Sequence, residues 1–107
     1  MDIAVRDNPG ESRYEIVRNG VVAGFSAYRL SGSRITFTHT QVEPAHSGQG
    51  LGRRLVTGEL DDAVGRGLSV VPLCPYVRRI ISEDRGRYLD LVPEGVRHRL
   101  GLSPDRD

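Results

Sequence analysis

The chain has 107 residues, enough for one domain with a single modest core, taken here as residues 1–107. Its 15 basic residues, every one an arginine, nearly cancel 14 acidic ones, and a net charge of +1 gives no electrostatic footprint for a nucleic-acid partner. One cysteine excludes an intramolecular disulfide framework, no CxxC or His/Cys spacing suggests a metal, and neither a signal peptide nor a run near the ~18 apolar residues of a membrane span is present, so a cytoplasmic protein without a membrane partner is expected.

In chain order, residues 1–12 carry only a turn signal, Asn8-Pro9-Gly10, and the first predicted strand is Arg13–Arg18, with Tyr14 and Ile16 on one face. Asn19-Gly20 suits a type I′ turn, which needs positive φ at both central positions, so residues 21–30 are predicted to return as the second arm of a hairpin. Ser31-Gly32-Ser33 then leads to a third strand, Arg34–Val42, which completes a three-stranded meander. Ile35 and Phe37 mark one face of it, and simple alternation places His39 and Gln41 on that same face.

Pro44 ends this strand, because proline lacks the ladder donor. The period then changes: Leu51, Leu55, Val56, Leu60, Ala63 and Val64 fall at helical spacing, and Gly65 and Gly67 are read as the stop. Residues 68–73 form a short apolar strand, predicted to lie parallel to the third strand through a right-handed crossover. Cys74 follows as the N-cap of a second helix that opens with Pro75 and carries Val77, Ile80 and Ile81. Residues 87–92 make a last short element, and residues 95–107 read as a charged, frayed tail.

Between the third strand and the first helix lies Ser47-Gly48-Gln49-Gly50-Leu51-Gly52-Arg53-Arg54, a glycine turn that opens into helix. Its close backbone and the free N–H groups of the first helical turn suit a phosphate. A Walker A loop is excluded, since the chain contains no lysine. A dinucleotide fingerprint meets Arg53 or Leu55 where its third glycine should stand. The bland alternative is a turn that only joins strand to helix.

Cys74 stands at the carboxyl end of a parallel strand, where ligands gather in α/β units. A thiol at a helix N-terminus has a lowered pKa and serves as nucleophile or proton donor, while the competing reading is a small buried hydrophobe. His39 is expected to share a cleft with Cys74 and to orient or deprotonate a group there, against the plainer role of a hydrogen-bonded packing residue. His46 is placed near the glycine loop, His98 in the solvated tail, and Arg78 and Arg79 on a solvated face.

The order of strand, glycine turn, amphipathic helix, apolar strand and second helix resembles the acyl-CoA N-acyltransferase superfamily known as GNAT, in its small single-domain branch. The residues that carry the match are His39-Thr40-Gln41-Val42, Gly48-Gln49-Gly50-Leu51-Gly52 and Pro72-Leu73-Cys74-Pro75-Tyr76-Val77, within residues 14–91. The resemblance implies an α/β (α+β) fold, a mixed and mostly antiparallel sheet packed with about two helices. It implies acetyl-CoA as co-substrate, no metal, and an amine-bearing small molecule or protein as acceptor, with the chain a monomer or weak dimer. Gln49, Gly50, Leu51, Gly52, Arg53 and Arg54 would then surround the pyrophosphate. Thr40, Gln41 and Val42 would line pantetheine, and Cys74 and Tyr76 would stand near the thioester; Tyr76 reads either as a donor to the leaving thiolate or as a core aromatic at the start of a buried helix. Ser47 departs from the Arg or Gln usual at its place, and the helices that usually wall the acceptor are missing. A non-catalytic acyl-CoA-binding or protein-interaction module is therefore the alternative.

Overall fold

Asn19 and Gly20 take φ values of 50° and 83° in the computed structural model, which describes residues 2–102. Both are positive, as a type I′ turn requires. The turn folds β2 (Arg13–Arg18) antiparallel onto β3 (Val21–Ser31), which in turn pairs antiparallel with β4 (Arg34–Val42).

The meander has a fourth member that the sequence reading left out. Ile3–Asn8 is β1, paired antiparallel with β2 from Ile3 opposite Arg18 to Asn8 opposite Arg13. Ile3, Val5 and Asp7 turn toward the helices and the residues between them turn away, a period of two that the Asn8-Pro9-Gly10 turn signal had overshadowed.

α1 (Leu51–Arg66) crosses the sheet and delivers β5 (Ser69–Pro72) parallel to β4, in the strand order β1-β2-β3-β4-β5. Gly67, at φ 68°, is the residue that stops α1, and Gly65 lies inside the helix. The buried stripe is Leu51, Leu55, Val56, Glu59, Leu60 and Ala63, so Val64, 51% exposed, drops out and the carboxyl of Glu59 takes a place in it. α2 (Pro75–Glu83) buries Val77, Ile80 and Ile81 beside it. Two short helices, α3 (Arg85–Tyr88) and α4 (Glu94–Arg99), close the end of the core with Tyr88 and Val96. The expected tail is thus helical over its first part, and Leu102 is buried; residues 103–107 lie outside the described residues.

Every buried apolar residue belongs to one cluster on the helix side of the sheet. The opposite face carries Arg6, Arg13, Phe25, His39 and Gln41, exposed or half-buried. Glu15 also lies on this face, yet it is only 2% exposed because Arg6, Asn8 and Arg13 close over it, at 2.9–3.0 Å. The Asn8 amide first, then the two guanidiniums, hold its carboxyl below the usual carboxylate value despite burial. A carboxylate depressed in the folded state stabilises it above the unfolded value and loses that contribution as pH falls through the folded one. Glu15→Gln should therefore destabilise the protein at neutral pH and flatten the acid limb of its stability curve, as urea titrations across the carboxylate range would show.

Candidate active site

β4 and β5 run together only as far as Phe37 and Pro72. The N–H of Leu73 then bonds back to the carbonyl of Val71 at 3.1 Å, and the Cys74 N–H closes the pairing on the Phe37 carbonyl at 3.0 Å. Beyond that bond the chain leaves the sheet as α2, and among the described residues no strand pairs with the edge of β4 away from β3 over residues 38–42. A free strand edge of this kind can accept hydrogen bonds from, and donate them to, an extended ligand.

At Thr38 the strand changes phase. Ala27 stands opposite His39 and Tyr28 opposite Phe37, so two steps on β4 answer one on β3 and Thr38 is the extra residue of a bulge. Thr40 and Val42 thereby take over the Phe37 face, while His39 and Gln41 turn to the uncovered face. His39 packs its ring against Phe25, 6.0 Å between centroids, and lies 3.3 Å from the Gln41 side-chain oxygen. The expectation that His39 and Gln41 continue the Ile35/Phe37 face is corrected by this bulge, and His39 does not share a cleft with Cys74. Thr40 does: its hydroxyl lies 3.4 Å from the Cys74 sulfur.

The glycine loop meets the open end of this split. A 3-10 turn, Pro44–His46, leads into it, and Gly48 and Gly50 take φ values of 77° and 74°, the second as the N-cap of α1. A left-handed N-cap admits glycine far more readily than a β-branched residue. No atom lies within 4 Å of where a side chain would begin at either glycine, so the cradle in front of the first turn of α1 is open. The Arg54 N–H bonds to the Gly50 carbonyl at 3.2 Å, and the N–H groups before it in that turn lie ahead of the first carbonyl the helix can offer them.

Four side chains frame the cradle. Arg18, from the end of β2, donates to the Gln49 side-chain oxygen and sets a guanidinium beside the loop, a contact that no local motif announces. Arg53 is held by Glu83 at 2.8 Å, and Glu83 also binds Arg79, so Arg53 faces α2 as well as the loop. Arg54 is exposed. The Tyr76 ring and hydroxyl lie 3.4 Å from the point where a side chain on Gly52 would begin, which sets that hydroxyl over the first turn of α1. His46 is half-buried behind the loop, with its Nδ1 unpartnered among the described residues.

Cys74 is the N-cap of α2 with Pro75 at the first helical position, but its thiol makes no capping bond and is 4% exposed. It turns inward to Thr40. From Thr40 the polar contacts continue into the core: its hydroxyl lies 3.3 Å from that of Ser26 on β3, and the Ser26 hydroxyl donates at 3.1 Å to Glu59 of α1. Glu59 is fully buried, and burial pushes its carboxyl well above the usual value, with the Ser26 bond acting against that shift and the Cys74 charge adding to it. Sequence reasoning missed both residues. Glu59 lies four residues from Leu55 and from Ala63, on the same helical face, so the spacing carried the signal although the residue type did not.

A model of GCN5-related N-acetyl-transferases matches residues 13–91, which span every element from β2 to the start of the final turns. The chain belongs to that family. A GCN5-like protein from Staphylococcus aureus, solved in solution, superposes with a TM-score of 0.62 at 20% identity, over 84% of this chain and 87% of the other. The ribosomal-protein-S18-alanine N-acetyltransferase of Escherichia coli gives 0.56 at 21% identity, over 66% of this chain and 49% of that enzyme. A ribosomal-protein-alanine N-acetyltransferase from Brucella melitensis gives 0.50 at 22%, over 76% and 62%. These likenesses are of fold. No functionally curated protein matches the sequence.

Proposed function

We propose that this chain binds acetyl-CoA across the loop and the split strands and transfers its acetyl group to an amine. One observation carries the reading: the open glycine cradle, the unpaired edge of β4 and the thiol of Cys74 follow one another along a single path. Their order is that of a phosphate group, an extended amide-bearing arm and a terminal thioester. Leu51 and Gly52 with the preceding glycines present N–H groups to the pyrophosphate, Arg54 and Arg18 add charge, and residues 38–42 pair with the arm. Arg53 reaches the phosphates only in exchange for its bond to Glu83.

The inward thiol favours Cys74 as a proton donor over a nucleophile, because its sulfur is engaged by Thr40 instead of lying free in the opening. A donor protonates the leaving thiolate of CoA after the acceptor amine attacks the thioester. Cys74→Ala is then expected to slow acetyl transfer about a hundredfold or more, with CoA affinity kept. Incubation with acetyl-CoA should leave no hydroxylamine-labile adduct on the chain, whose only cysteine gives such an adduct one possible address. Transfer is read by CoA release across a panel of amines and peptide N-termini. Tight CoA binding with neither transfer nor hydrolysis would replace this reading by that of an acyl-CoA-binding module, which the uncovered sheet face would suit.

A further inference from the structure

The contacts under the sheet join a group at the proposed reaction centre to one that no ligand reaches. Cys74 lies 3.4 Å from Thr40, Thr40 3.3 Å from Ser26, and Ser26 3.1 Å from Glu59 Oε2. Four elements supply the chain: the start of α2, the paired strands β3 and β4, and the buried stripe of α1. A buried carboxyl and the hydroxyls beside it are costly unless they bond to each other. They do so in a single file that ends at the thiol.

We infer that Glu59 and Cys74 are the two ends of one proton-sharing chain through Ser26 and Thr40, and that Glu59 restores to Cys74 the proton that the thiol gives to departing CoA. The inference rests on the acetyltransferase reading for its role in turnover, but the sharing itself does not. The polarity is set by counting donors, since each hydroxyl has one proton to give. With a carboxylate at Glu59, Ser26 donates to Oε2, Thr40 to Ser26 and the thiol to Thr40; protonation of Oε2 reverses every bond, so that its O–H points to Ser26, Ser26 to Thr40 and Thr40 to the sulfur, and the thiol proton is released from the file.

The step balances. The amine nitrogen bonds to the thioester carbon, the carbon–sulfur bond breaks, and the CoA sulfur takes the proton of Cys74. The Thr40 proton moves to Cys74, that of Ser26 to Thr40 and that of Glu59 to Ser26, leaving a carboxylate. The acceptor nitrogen releases one proton to solvent, and one proton enters at the thiol and returns through Thr40 and Ser26 to Glu59. Burial raises the carboxyl of Glu59, and this supports a protonated resting state. Among the described residues, the groups that act on its charge are the Ser26 hydroxyl of β3 and the Cys74 thiol at the start of α2. Among the described residues Oε1 has no hydrogen-bond partner, and the carboxyl is held there by the file alone. Glu59 and Ser26 are positioning residues in this scheme, because neither touches substrate.

Two measurements test it. The first is the pH titration of thiolate absorbance, taken as wild type minus Cys74→Ser. Where the two groups share one proton the thiol titrates together with Glu59, and Glu59→Gln, which has no proton to release, should move the thiol midpoint by half a unit or more, about a threefold change in acid constant. An unmoved midpoint overturns the inference whether or not the protein transfers acetyl groups. The second uses Ser26→Ala, which breaks the file far from the thiol and also serves if Glu59→Gln fails to fold. Turnover should fall about tenfold, acetyl-CoA affinity should stay within twofold, and the curved dependence of rate on deuterium content, the mark of several protons moving, should become a straight line. Turnover within twofold of wild type with the curvature kept would also overturn it. A shifted midpoint in a wild-type protein that transfers nothing would sink the acetyltransferase reading and leave the shared proton standing.

Discussion

Phe37→Ala is expected to destabilise the fold by about 3–5 kcal/mol, roughly a fifth or more of the stability of a typical domain. Phe37 is fully buried, with its ring centroid 6.1 Å from that of Tyr14 and 6.3 Å from that of Tyr28. Truncation empties the middle of that aromatic group, and strands on both sides of it can collapse only in part. The same residue offers its carbonyl to the Cys74 N–H, the last bond before β4 and β5 separate. Calorimetry should show a fall in melting temperature on the order of 15 °C, and Phe37→Leu should recover most of it. A loss under about 1 kcal/mol would mean that the aromatic group is not the centre of the core.

Gly50→Val should cost at least tenfold in CoA affinity, or about 1.4 kcal/mol. The backbone of Gly50 is left-handed, at φ 74°, a conformation that costs an ordinary residue about 1–2 kcal/mol. Nothing crowds the position, so the further loss comes from a side chain standing where the phosphate approaches. Gly50→Asn separates the two effects. Asparagine tolerates the left-handed region, so its melting temperature should stay near that of wild type while affinity still falls. Affinity unchanged in both variants would move the cofactor away from the loop.

Much of the fold was legible because strong local signals pointed one way. Asn19-Gly20 and Ser31-Gly32-Ser33 set the hairpins, the apolar stripe set α1, and Pro75 set the start of α2. β1 escaped because only Ile3 and Val5 mark its inner face, and Asp7, its third inward residue, is held by Tyr28 and Arg66 instead of apolar packing. The bulge at Thr38 could not be read from Thr36-Phe37-Thr38-His39-Thr40, which alternates equally well in either phase. Its cause lies in the register against β3, a long-range pairing. That single residue decides which side chains face Cys74, so the sequence set His39 beside the cysteine where the structure sets Thr40. Glu59 escaped for a related reason, since a carboxylate at an apolar spacing is assigned to solvent unless the hydroxyls that receive it are known to be near.

The proposed path of the cofactor runs from the loop before α1 along β4 to Cys74, and backbone amide shifts on titration with CoA test it most directly. The largest shifts are expected at residues 47–54, 38–42 and 74–76, and those that differ between CoA and acetyl-CoA at Thr40 and Cys74. Shifts confined to Arg13, Phe25 and their neighbours on the uncovered face of the sheet, or none at all at saturating CoA, would contradict it.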